Sequence, residues 1–119
     1  MLFFTMSSYS QTEKLIGKWG NCKSVCNGMT AMKNVCSEIE FKKNQTVIIS
    51  NSGGIRESYK WKINNNQIRF INLNCKKYAT FSESKVYKLI FNKSSNELVI
   101  REKENGKCYD VLSRYSNYR

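Results

Sequence analysis

The residues of this chain best able to do chemistry are five cysteines: Cys22, Cys26, Cys36, Cys75 and Cys108. Thiols can pair with one another, hold a soft metal or act as nucleophiles. No Cys-x-x-Cys pair occurs and histidine is absent, so the ligand spacing of a structural zinc site is poor. Without histidine, Ser-His and Cys-His nucleophile pairs are excluded. Many cysteines in a short chain favour disulfides and an oxidising compartment. Their odd number leaves at least one thiol free in a monomer, or bridging two chains.

The nine acidic residues mark no catalytic pair. Glu38 and Glu40 share a strand face beside lysines and read as solvated, as do Glu102 and Glu104. Gly53-Gly54 lacks the Lys-Ser/Thr and helix of a phosphate loop. The expectation is a non-catalytic protein with no metal and no cofactor.

The elements that would position these residues are short strands. From Cys36 onward the apolar period is two. Ile39 and Phe41, Val47 and Ile49, Tyr59, Trp61 and Ile63, Ile68 and Phe70, and Tyr87, Leu89 and Phe91 each alternate with polar residues. Leu15 to Cys22 reads as a first strand, Ala79 to Phe81 as a weak one, and Tyr109 to Arg114 as the last. Turns fall at Lys43-Asn44, Asn51 to Gly54, Asn64 to Asn66 and Asn92 to Asn96, and Asn105-Gly106 reads as the best hairpin turn. Residues 23–35 show no clean period and read as a long connection or short helix capping one end. Eight or nine strands in consecutive hairpins predict an all-β, up-and-down antiparallel barrel, since closure removes exposed edges.

Residues 1–10 read as the remnant of an export signal: Met1 to Met6 resembles the end of an apolar stretch, and Ser8-Tyr9-Ser10 suits a cleavage site before Gln11. The barrel domain is then 11–119, and the protein is secreted or periplasmic. No apolar stretch is long enough to span a membrane. The net charge is +11, but most lysines alternate with inner residues or lie in turns, as on a solvated outer face. The aromatics alternate with those lysines and so face the other way, which argues against nucleic acid as a partner.

Gly17-Lys18-Trp19 in the first strand, the hairpin series, and the closing Tyr109-Asp110-Val111-Leu112-Ser113-Arg114 together resemble the lipocalin-like proteins, in particular their short bacterial members. The resemblance implies that Trp19 plugs the closed end of the barrel with Arg114 packed over its ring. Classical lipocalins carry a helix after the barrel, whereas residues 115–119 read as a short polar tail, and the cysteine-rich 22–36 stretch is not a general family feature.

Two functions remain. An interior lined by Phe41, Tyr59, Trp61, Phe70, Tyr87, Leu89, Phe91 and Tyr109 would hold a small, largely apolar ligand, with the tyrosine hydroxyls meeting one polar group. The alternative is a disulfide-stapled interaction or inhibitor module that engages a protein partner through the 23–35 loop. The sequence does not choose among disulfide pairings. Closure would make the first and last strands neighbours, which suggests Cys22 with Cys108, Cys26 with Cys36, and a free Cys75.

Overall fold

The computed structural model describes residues 11–51, 56–73, 79–104 and 106–115. The expected export remnant, Cys75 and the Lys76-Lys77 pair lie outside these residues. Among the described residues eight strands form: β1 (Gly17–Cys26), β2 (Met29–Phe41), β3 (Thr46–Asn51), β4 (Arg56–Asn64), β5 (Gln67–Asn72), β6 (Tyr87–Asn92), β7 (Glu97–Glu102) and β8 (Cys108–Arg114). Each pairs antiparallel with its sequence neighbour, and β8 returns to β1. The sheet therefore closes into the up-and-down barrel that the alternation predicts.

Alternation decides what faces inward. Trp19 lies opposite Ile39, Ile39 opposite Ile49, Phe41 opposite Val47, and Val47 opposite Tyr59. Directly paired residues share a sheet face, so these side chains form continuous inner rows. Trp61 pairs with Phe70, Leu89 with Ile100, and Leu98 with Leu112. All are buried members of one core.

Three local expectations are corrected. The first strand starts at Gly17 rather than Leu15, which ends a helical turn over residues 11–15. Residues 23–35 are neither loop nor helix. They are the outer half of the β1–β2 hairpin, turning at Asn27 (φ 52°) and Gly28 (φ 81°). Asn-Gly accepts positive φ at both positions, as a type I′ turn requires. Ala79 to Phe81 is irregular chain rather than strand.

The wall is uneven. β4 and β5 are joined along six residue pairs, whereas β5 and β6 meet only at Gln67–Lys88 and Ile68–Tyr87. Next to this short junction, residues 79–86 cross the end of the barrel where β1 finishes.

Candidate functional site

The closed end is built around Trp19, which is completely buried. Its indole Nε1 donates to the Leu15 carbonyl at 2.9 Å, joining the helical turn to the barrel floor. Arg114 lies opposite Trp19 on β8, and its guanidinium carbon sits 4.0 Å from the centre of the Trp19 ring system. The same guanidinium donates to the carbonyls of Ile16, Lys14 and Ser95. Partial burial draws its pKa below the ordinary arginine value. Gly17 has φ +131°, and a Cβ there would lie 3.0 Å from Arg114 Nη1. Glycine thus serves both the backbone conformation and the close approach of the guanidinium.

The interior above this plug holds aromatic rings against one another. Phe41 and Trp61 meet edge-on at 5.9 Å, and Tyr59 and Phe70 at 5.8 Å. Phe81 enters from the irregular 79–86 segment and stacks on Phe70, with ring centres 3.9 Å apart and planes 6° from parallel. Tyr59 and Tyr87 meet Phe81 edge-on at 5.6 and 5.5 Å. Of the residues expected to line a pocket, Phe41, Tyr59, Trp61, Phe70, Tyr87 and Leu89 lie in this cluster. Phe91 packs at its margin, 6.4 Å from Trp19.

Tyr109 does not face inward. Leu112 is in the core, so Tyr109, three residues earlier, falls on the other face. There it pairs with Arg101, whose guanidinium lies 4.8 Å from the Tyr109 ring centre. Contrary to the expected inward Tyr109, the parity of the last strand is set by Leu112 rather than by its aromatic residue.

Glu57 was not anticipated. Only 6% of it is exposed, and it sits opposite Ile49, on the inner face. It accepts from the Tyr59 hydroxyl at 2.5 Å, from the Thr80 backbone N–H at 2.9 Å and from Thr80 Oγ1 at 2.9 Å. The Phe81 N–H donates to the Tyr59 oxygen, and the Ser82 N–H to the Tyr87 oxygen. Burial pushes the Tyr87 phenol above its usual pKa, against the lowering effect of the Ser82 hydrogen bond. The inner hydroxyls and Glu57 therefore hold the 79–86 strap across the mouth. The signal for Glu57 was available: it stands two residues before Tyr59, in the same alternation.

At the rim, Asp110 accepts from Asn21 Nδ2 at 3.3 Å and pairs with Lys33 at 3.2 Å. An open groove of about 320 Å3 beside them is lined in part by Lys33, Phe81, Tyr87 and Asp110.

Beyond the rim, the β1–β2 hairpin continues as an arm. Two disulfides brace it: Cys22–Cys36 ties its two strands together, and Cys26–Cys108 ties its tip to β8. These replace the expected Cys22–Cys108 and Cys26–Cys36 pairs. The first and last strands do meet. However, β1 runs to Cys26 rather than ending at Cys22, so Cys26 is the residue opposite Cys108. Cys22 falls at an irregularity between Asn21 and Lys23, from which it reaches Cys36.

Met29 and Met32 are 76% and 71% exposed. They are three residues apart and so lie on opposite faces of the arm. Residues 29–32 pair with β1, whereas β2 pairs with β3 only from Ser37 to Phe41. The other edge of residues 29–32 thus has no partner strand among the described residues.

No protein-family model matches the chain, and a search of curated proteins finds no match either.

Proposed function

We propose that this protein is an exported, disulfide-braced interaction module that binds an extended segment of a partner protein along the free edge of the β2 arm. The observation that carries the reading is the Met29–Met32 stretch, which combines two exposed methionines, an open strand edge and two disulfides holding it in place. An exposed edge is a template for strand addition, in which main-chain hydrogen bonds supply affinity and side-chain pockets supply selectivity. Flexible, polarisable methionines adapt to varied apolar partners. Bracing the arm beforehand lowers the ordering cost of binding. The disulfides fit an oxidising environment outside the cytosol. Gly17, Trp19 and Arg114 support a lipocalin-like scaffold beneath the arm. Carriage of a small ligand inside the barrel has no comparable support, because the rings that would line the pocket pack on one another.

Selection of a displayed peptide library against the oxidised protein tests this reading. In an antiparallel hairpin with a two-residue turn, Thr30 lies in a non-hydrogen-bonded pair with Val25, so its N–H points to the free edge. Thr30→Pro removes that donor and leaves the β1 ladder intact. Selected peptides should lose roughly tenfold or more in affinity for Thr30→Pro, the loss of about one well-made hydrogen bond. Peptides that bind the variant as well as the parent would sink the proposal.

A further inference from the structure

The outer face of β4 to β7 carries a row of cations that register, rather than sequence, brings together. Trp61 and Phe70 are paired inside the barrel, so Lys62 and Arg69, also directly paired, lie together outside. Lys88 pairs with Gln67 on one side and with Arg101 on the other. Arg69 is two residues from Gln67 on the same face, diagonal to Lys88. Lys62, Arg69, Lys88 and Arg101 therefore form a continuous band across four strands, about 15 Å wide at ordinary strand spacing. All four are exposed, and none takes part in an ion pair among the described residues.

Like charges set directly opposite one another destabilise a sheet. Two such pairs in one row cost stability that a purely solvated face would avoid by mixing signs. The remaining outward positions of β4, β5 and β6 carry no carboxylate, and Glu97, on the outer face of β7, is paired with Lys93. In contrast, Glu38 and Glu40 lie among the lysines of β1 and β2. Flanking the band are exposed aliphatic side chains, Ile71 at 45% and Ile90 at 42%. Tyr59, Trp61, Phe70 and Tyr87 all point into the core, and the outer Tyr109 has its ring covered by the Arg101 guanidinium, so none of them offers a face for stacking on bases or sugars.

From this we infer that the β4–β7 face docks onto an anionic lipid surface, with the cations meeting acidic headgroups and the two isoleucines entering the interfacial layer. Basic residues near an anionic leaflet each add to affinity, and the effect is lost as salt screens it. Exposed isoleucines on either side of the cations suit a bilayer better than a fully hydrated polyanion. The proposal is independent of the arm, which belongs to β1 and β2.

Vesicle co-sedimentation tests it, using phosphatidylcholine alone and phosphatidylcholine mixed with phosphatidylglycerol. The full chain should bind the mixed vesicles at low salt, release them at high salt and ignore phosphatidylcholine alone. A triple variant, Lys62→Gln, Arg69→Gln and Lys88→Gln, is compared with a charge-matched control, Lys42→Gln, Lys43→Gln and Lys107→Gln. The first should lose affinity by roughly tenfold or more relative to the control. Relief of repulsion should leave its melting temperature unchanged or raised, so loss of binding is not loss of fold. Equal losses in the two variants would mean that overall charge alone drives binding, and would overturn the proposal. A third variant, Ile71→Ser with Ile90→Ser, should weaken binding to mixed vesicles while leaving binding to dextran sulfate unchanged. If it weakens neither, the partner is a soluble polyanion and the lipid assignment fails.

Discussion

At the scale of single residues, Arg114 does the work of several. It covers the Trp19 ring and donates to three carbonyls from two separate segments, the helical turn and the β6–β7 turn. Lysine has one compact ammonium and no planar fork, so it cannot reproduce this combination. Arg114→Lys should therefore lower unfolding stability by about 1–3 kcal/mol, the range for losing hydrogen bonds made by a charged group. Chemical denaturation followed by tryptophan fluorescence would measure it. A loss no larger than that of a surface substitution would show that the guanidinium is not structural. Gly17 belongs to the same unit, because its missing Cβ leaves room for Arg114. Gly-x-Trp is thus a packing motif in this chain, with its arginine nearly a hundred residues away in sequence.

Among the elements, the 79–86 strap is the least regular part of the described structure and closes the least-paired part of the wall. It contributes one large apolar side chain, Phe81, to the centre of the ring cluster. It is fastened by polar contacts to Glu57, Tyr59 and Tyr87. Phe81→Ala should cost about 3–5 kcal/mol, as other large aromatic truncations do, and leave an apolar space that a small aromatic can fill. Thermal shift measurements with and without added benzene would detect both effects. If the variant melts like the parent, Phe81 is not part of a continuous core. The arm is the other element with a distinct character. Its turn, Asn27-Gly28, carried the same chemistry as Asn105-Gly106 in the sequence. It is obscured because the surrounding residues lack alternation: none of the described side chains over residues 23–33 is fully buried, so neither face needs an apolar row and the period-two signal disappears.

For the whole molecule, closure is secured twice, by β1–β8 pairing and by Cys26–Cys108, which spans 82 residues of sequence. Cys22–Cys36 spans only 14. Loop-closure entropy gives roughly 3 kcal/mol for the shorter bridge and 4–5 for the longer. Replacing Cys26 and Cys108 together by serine should therefore lower the denaturation midpoint more than replacing Cys22 and Cys36. The reverse order would mean that the arm, rather than barrel closure, dominates the contribution of the disulfides.

The sequence by itself determined the all-β class, the closed up-and-down order and the inner rows, because these follow from period-two patterning and turn residues that act locally; the contact of Trp19 with Arg114 was legible only through the resemblance to the lipocalin-like proteins. Only the tertiary structure decided the disulfide pairing, the outward position of Tyr109, the strap contacts of Glu57 and the cationic band. Each of these depends on register: where a strand ends, which residue stands opposite which, and which side of the wall a given parity faces. Moving a strand by a single residue exchanges its faces, and nothing local to Cys22 or Tyr109 encodes that choice. It is made where Leu112, Trp61 and Phe70 find their partners in the core, and the remaining side chains take their places from it.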